Sequence, residues 1–234
     1  MSLPVAVLAG GLATRMKPLT ESLPKALIEL CGRPFAVHQI ELLREHGITE
    51  IVFCVGHLGE KIEASLGDGF SFGVHLSYVF DGPVLLGTGG ALRKALPLLG
   101  QAFFVLYGDS YLNCDYAAIE GAFLASGKYG LMTILRNLDR WEKSNVVFEE
   151  GRIQCYDKVH RIPGMEFIDY GLGVLRTEAL TAYAEDIPLD LAQIYQDLIA
   201  KDQLATFEVS ERFYEIGSPA GLAEARKFFE GRKG

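Results

Sequence analysis

Long hydrophobic runs are missing from this 234-residue chain, and so are the residue patterns from which several kinds of site are built. The opening stretch MSLPVAVLAGG has no basic segment, and its apolar part is too short for a signal peptide or a membrane span. Cysteine is scarce. Cys31, Cys54, Cys114 and Cys155 are scattered and form no Cys-x-x-Cys pair, which speaks against a disulfide framework or a structural zinc site. The histidines, His38, His46, His57, His75 and His160, never fall in the His-Glu-x-x-His spacing of a metalloprotease, and no Gly-x-Ser-x-Gly elbow is present. Excess positive charge is lacking too: the net charge of −8 removes the basic face on which broad nucleic-acid binding rests. A small anionic ligand held by a few local cations stays compatible with that charge. These absences read as a reduced, cytoplasmic, soluble protein with no membrane and no nucleic-acid partner.

What is present is ordinary globular material, 49% hydrophobic and 22% charged, enough for a sizeable core. The first half alternates strand and helix. Val5 to Ala9 is a short apolar run stopped by glycines, and Pro34 to His46 has helical apolar spacing with Gly47 as its stop. A strand at Ile51 to Val55, a helix at Gly59 to Leu66 and a strand at Val74 to Phe80 follow. Then come a helix at Thr88 to Leu96, stopped near Pro97, and a strand at Ala102 to Tyr107. That order predicts an α/β fold with a parallel sheet, in which ligands bind where strands end. Three loops fall at such ends: the Gly10 loop, Gly56-His57 and Gly108-Asp109. The second half reads as strands at Leu131 to Leu135 and Phe167 to Leu175, and a hairpin turning at Glu149-Glu150-Gly151. Helices are expected near Thr177 to Tyr183 and Leu189 to Lys201, then a strand near Ala205 to Val209 and a last helix entered at Ser218-Pro219. No linker divides the halves and no internal repeat is evident, so residues 1–234 are expected to form a single domain.

The stretch LAGGLATRMKPLTESLPK, Leu8 to Lys25, leaves an apolar run through two glycines and then places two cations ten residues apart. It is neither a Walker A loop, since no Gly-Lys-Ser/Thr closes it, nor the dinucleotide fingerprint, because Thr14 stands where the last glycine belongs. Two readings are open at this level. Either the loop is a tight turn with solvated cations, or its N–H groups and Arg15 grip a polyphosphate to which Lys25 is brought back.

Continued through Ala26-Leu27-Ile28-Glu29-Leu30-Cys31-Gly32-Arg33-Pro34, the stretch resembles the signature of the sugar-1-phosphate nucleotidylyltransferases. Leu86-Gly87-Thr88-Gly89-Gly90-Ala91 resembles the family's second glycine segment. Val105 to Ser110 resembles the segment whose aspartate, here Asp109, holds the catalytic magnesium. Asn145-Val146-Val147, Tyr156-Asp157-Lys158 and Ile168-Asp169-Tyr170-Gly171 resemble the sugar side of that family's site, usually written with Asn or Gly where Asp169 stands. Without the family, Asp109 would read as a turn or cap residue and Asp157-Lys158 as a solvated strand end. Tyr214 to Pro219 resembles a late segment with a second metal-binding aspartate, but this chain has Glu215 there. That glutamate could reach magnesium by a backbone adjustment, bind through water, or not be a ligand.

The resemblance implies a Rossmann-like mixed, mostly parallel sheet with helices on both faces, of the nucleotide-diphospho-sugar transferase type, without an appended β-helix. It implies an enzyme that joins a nucleoside triphosphate to a sugar 1-phosphate and releases pyrophosphate, with Mg2+ as cofactor, in nucleotide-sugar or cell-surface polysaccharide synthesis. Catalysis is expected of Arg15, Lys25 and Asp109, with Asp109 and Glu215 holding the metal. Leu8, Ala9, Gly10, Gly11, Thr14, Asp81, Gly87 and Thr88 are expected on the nucleotide, and Asn145, Asp157, Lys158, Asp169 and Gly171 on the sugar phosphate. The second glycine segment is similar to that of mannose- and heptose-1-phosphate guanylyltransferases, and the Asp81 carboxylate suits guanine N1–H and N2–H. GTP is therefore the favoured nucleotide, with dTTP, UTP and CTP open, and a homo-oligomer is also left open. Two alternatives stand beside this. One is a nucleotide-sugar-binding regulator without catalysis, for which Glu215 is the motive. The other is a metal-dependent glycosyltransferase, which wants an Asp-x-Asp that Asp109-Ser110-Tyr111 does not supply.

Overall fold

The computed structural model describes residues 2–232. Its first strand, β1 (Val5–Leu8), has Val5, Ala6 and Val7 wholly buried, as a strand covered on both faces must be. A small arm of β2 (Glu29–Leu30) and β3 (Arg33–Pro34) leads into helix α1 (Phe35–Glu45). The helix forms because Ala36, Val37, Ile40 and Leu43 recur on one buried stripe, and it stops where Gly47 takes a positive φ of 77°. Then follow β4 (Glu50–Val55), α2 (Gly59–Leu66), β5 (His75–Phe80), α3 (Gly87–Leu99) and β6 (Ala102–Tyr107). Helix α3 runs through Pro97, against the sequence expectation of a stop there. Pro97 lies in the last turn, and full burial of Leu99, worth about 1.5–3 kcal/mol for such a side chain, holds that turn closed.

The second half opens with β7 (Ser110–Tyr111) and α4 (Tyr116–Ser126), whose N-terminus is capped by the Asp115 carboxylate accepting the Ala118 N–H at 2.9 Å. Strand β8 (Gly130–Arg136) precedes the hairpin of β9 (Val146–Glu149) and β10 (Arg152–Tyr156), which turns through Glu150 and Gly151 at positive φ. Next come β11 (Phe167–Arg176), the short α5 (Glu178–Thr181), α6 (Leu191–Ala200) and β12 (Leu204–Val209). The chain ends with β13 (Tyr214–Glu215) and α7 (Pro219–Gly231), the latter capped by Ser218. Helices α5 and α6 are shorter than the sequence spacing predicts, because α6 begins only after its cap, Asp190.

One nine-stranded sheet runs through both halves in the order β10-β9-β11-β6-β1-β4-β5, with β8 beside β11 and β12 beside β8. Strands β6, β1, β4 and β5 are parallel, and the sheet turns antiparallel where β11 pairs with β6. Helices α1, α2 and α4 cover one face and α3 and α6 the other, each over its own apolar core. This is the mixed, helix-covered sheet expected from the sequence. Among the described residues no helix is long and apolar enough to cross a membrane.

Candidate active site

The chain winds outward from β1 to β4 and β5, then returns to β6 on the other side of β1. The loops after β1 and β6 therefore diverge, and a crevice opens between them, where ligands bind in such sheets. The three loops singled out in the sequence meet there. Gly108 N–H donates to the Leu8 carbonyl at 2.9 Å, and a Cβ on Gly56 would lie 2.7 Å from the Gly10 carbonyl oxygen. Glycine at 56 is what lets these two loops touch.

Two cavities adjoin at this crevice. The smaller, about 250 Å³, is lined by Leu8, Ala9, Gly10, Gly11, Lys25, Asp81, Gly87 and Thr88. The larger, about 660 Å³, is lined by Arg15, Glu142, Asn145, Asp157, Lys158, Asp169, Gly171 and Glu215. Tyr107 and Asp109 belong to both. The residues expected on a nucleotide thus share one cavity and those expected on a sugar phosphate share the other, with Asp109 between them. Thr14 is the exception, lining neither and starting the short turn Thr14–Met16 instead.

At the junction Lys25 Nζ lies 2.8 Å from Asp109 Oδ2. Glu215 is brought alongside by the pairing of β13 with β7, which sets Glu215 opposite Ser110, and by Ile216 N–H donating to the Asp109 carbonyl at 2.9 Å. Its carboxylate turns back to accept the Gly217 N–H and, at 2.5 Å, the Ser218 hydroxyl. The extra methylene of Glu over Asp finds its room at Gly221, where a Cβ would stand 1.7 Å from Glu215 Oε1. A Cβ on Gly217 would meet Glu215 Oε2 at 2.8 Å, Asp109 Oδ2 at 2.9 Å and Lys25 Nζ at 3.4 Å, so two carboxylates and an ammonium converge on one spot. Among the described residues no group of three or more His, Cys, Asp or Glu side chains could hold a metal. A carboxylate pair nevertheless fits magnesium, which keeps waters and takes substrate phosphate oxygens for its remaining positions.

On the sugar side Lys158 Nζ donates to the Tyr107 hydroxyl at 3.0 Å, sits over the Tyr107 ring and lies 3.7 Å from Asp190. Asp157 accepts the N–H groups of Val159 at 2.7 Å and His160 at 2.9 Å, forming the turn that carries Lys158; those bonds hold its carboxyl below the usual range. Asp169 accepts the Tyr156 hydroxyl at 2.8 Å and the Gly171 N–H at 3.0 Å, while Asn145 Oδ1 accepts the Asp169 N–H at 2.9 Å. Burial pushes the Asp169 carboxyl up against the pull of Lys158. On the nucleotide side Asp81 Oδ2 accepts the Leu86 N–H at 3.2 Å and would lie 3.0 Å from a Cβ on Gly56. Burial raises the Asp81 carboxyl, opposed by that N–H and by Lys94.

Residues 5–151 match the family described as nucleotidyl transferase. The chain belongs to that family. It is 41% identical over 113 residues to N-acetylmuramate alpha-1-phosphate uridylyltransferase of Neisseria meningitidis serogroup B, covering 48% of this chain and 49% of that relative. It is 31% identical over 223 residues to mannose-1-phosphate guanyltransferase 2 of Candida glabrata, covering 91% of this chain and 61% of the relative. The chain thus spans about half the length of the first relative and three fifths of the second. In fold it superposes on a Bacillus anthracis protein described as a glucose-1-phosphate thymidylyltransferase, with a TM-score of 0.86, at 20% identity, over 97% of this chain and 95% of that one.

Within this nucleotidyl transferase fold, several site residues escaped the sequence reading. Tyr107 stands in both cavities, and its place two residues before Asp109 at a strand end was the available signal. Glu142 faces the junction; burial and the nearby Glu215 push its carboxyl up while Arg15 pulls it down. Asp190 lines neither cavity but accepts the Thr88 hydroxyl at 3.3 Å and lies 3.7 Å from Lys158, so it touches one wall residue of each. Just before it, the Leu189 carbonyl accepts the N–H groups of Gly89 at 2.8 Å and Gly90 at 3.1 Å, closing the start of α3. In the sequence this segment read only as the start of the helix expected near Leu189 to Lys201.

Proposed function

We propose that the protein transfers a nucleotidyl group from a nucleoside triphosphate to a sugar 1-phosphate. The observation that carries this reading is the Lys25–Asp109 pair at 2.8 Å, set where a glycine-floored cavity meets a cation-bearing one. Such transfers ask for positioning and charge neutralisation more than for covalent chemistry. A phosphate oxygen of the sugar 1-phosphate attacks the α-phosphorus, the bond to the bridging oxygen breaks, and pyrophosphate leaves. The attacking oxygen is already ionised at neutral pH, so no general base is needed.

In this reading the smaller cavity takes the nucleotide and the larger the sugar phosphate. Lys158, braced by Tyr107, orients the attacking phosphate. Arg15, on the larger cavity's wall, and Lys25 offset the charge that accumulates as the two anions approach. Asp109 and Glu215 are the residues that would hold magnesium, which supplies positive charge at the α-phosphate. Glu215 Oε2 and Asp109 Oδ2 face the same point beside Gly217, which supports a metal-holding pair over a regulator without catalysis. GTP is the nucleotide we favour over UTP, dTTP and CTP, because the guanyltransferase likeness runs through 91% of the chain. The test is pyrophosphate release with magnesium across a grid of nucleoside triphosphates and sugar 1-phosphates. Release with one pair is expected; nucleotide-sugar binding with silence throughout the grid would overturn the reading.

A further inference from the structure

Helix α1 packs its apolar stripe into the core, yet one buried position on it is polar. Gln39 is 1% exposed. Its side-chain amide nitrogen donates to the Tyr107 carbonyl at 3.1 Å and to the Ser110 carbonyl at 2.7 Å. Those two carbonyls flank Gly108-Asp109, so a single amide from another element clamps both ends of the turn that carries Asp109. Ser110 is also the residue paired with Glu215 in the small β7–β13 ladder. Fixing Ser110 therefore fixes the backbone beside both carboxylates.

Two further observations point the same way. The Asp109 turn is also tied by Gly108 N–H to the Leu8 carbonyl and by the Asp109 carbonyl to Ile216 N–H, and Gln39 adds a hold on the carbonyls to either side. Meanwhile Gln39 Oε1 is buried with no hydrogen-bond partner. A buried oxygen without a partner is a standing cost, and a residue selected for stability alone would not carry it. The cost is accepted where the amide's two donors do something an apolar side chain cannot.

We propose that Gln39 is the positioning residue of this site, setting the Asp109 turn and, through the β7–β13 ladder, the Asp109–Glu215 pair for a divalent cation. The inference rests on the nucleotidyl-transfer reading. Gln39 touches neither substrate cavity; it acts through the backbone on either side of Asp109.

The experiment is a manganese titration of the folded protein, read from the electron paramagnetic resonance signal of the free ion with nucleoside triphosphate present. It compares the native chain with Gln39→Met, which keeps the length but loses both donors. Loss of such an outer partner weakens metal binding by about 10- to 100-fold in comparable sites, and that rise in the manganese dissociation constant is expected here. Binding of a fluorescent triphosphate without metal should stay within about twofold, because Gln39 lines no cavity. Gln39→Asn, whose amide is one methylene too short to bridge both carbonyls, should show the same split and decides the matter if Gln39→Met does not fold. Native manganese affinity in both folded variants would overturn the role of Gln39 and leave the nucleotidyl-transfer reading standing. Failure of the native protein to take up manganese beyond what triphosphate alone retains would instead overturn the metal reading, and with it this inference.

Discussion

Lys25→Met isolates the charge at the junction. Methionine keeps most of the stem, which is packed so that only 19% of the Lys25 side chain is exposed, and removes the ammonium. At 2.8 Å and an effective dielectric near 20, the gross attraction to Asp109 is about 6 kcal/mol. Desolvation offsets most of that for a pair exposed by 19% and 28%. The net loss of stability should therefore be nearer about 1 kcal/mol. For a chain of this size that lowers the melting temperature by about 2–4 °C. Turnover should suffer far more, because a preorganised charge aimed at a transferring phosphoryl group is worth about 10²–10³ in rate. The variant also leaves Asp109 and Glu215 converging on one point without their cation. Added magnesium should then raise its melting temperature more than that of the native protein, without restoring turnover. Pyrophosphate release and thermal melts with and without magnesium measure both quantities. A folded Lys25→Met protein that retains more than about a tenth of native turnover would refute the placement of Lys25 on the reacting phosphates.

Other consequences are equally open to measurement. Lys158→Met should raise KM for the sugar phosphate by about 10- to 100-fold, the worth of a charge-assisted hydrogen bond, while KM for the triphosphate moves little; equal shifts in both would place Lys158 elsewhere. Gly221→Ala, favourable for an ordinary helix, should here destabilise by about 1–3 kcal/mol and lower turnover, since the new methyl occupies the place of the Glu215 carboxylate. A chemical-denaturation curve with the usual gain from Gly to Ala would contradict that. Asp81 has its folded-state carboxyl raised by burial, so the native state holds its proton more tightly than the unfolded chain. It therefore subtracts stability as pH rises from the ordinary carboxylate range through the higher folded value. The stability of Asp81→Asn relative to native protein should accordingly grow as pH rises above the ordinary carboxylate range, and a difference that stays flat would exclude the burial argument.

The first half of the fold was legible because its signals are local. A buried parallel strand such as β1 is a continuous apolar run, and the loops after β1 and β6 announce themselves by glycine followed by charge. The place of Gly108-Asp109 at a strand end followed from that order of elements, and the role expected of Asp109 from the family likeness. Glu215 was legible only through the family likeness, because a two-residue strand such as β13 has no periodicity to read. Its partner Gly221 carries no signal until the carboxylate is seen lying against it. Gln39 reads in the sequence as a polar interruption on a helical stripe, and only the packing of α1 against the Asp109 turn shows what its amide holds. Pro97 misled in the opposite direction. Local chemistry favoured a stop, and the burial of Leu99 outweighed it.

The closure of α3 by Leu189 bears on how the molecule assembles itself. The amides of Gly89 and Gly90 lie within the 5–151 stretch that matches the family, but the carbonyl that satisfies them comes from a residue well beyond it. During synthesis the glycine segment of the nucleotide cavity is therefore made long before its cap exists, and until then its donors face water. Closure of the start of α3 is thus completed only once residues near 189 have been made. The stretch that matches the family and the carbonyl that closes the start of α3 therefore lie in different parts of the polypeptide.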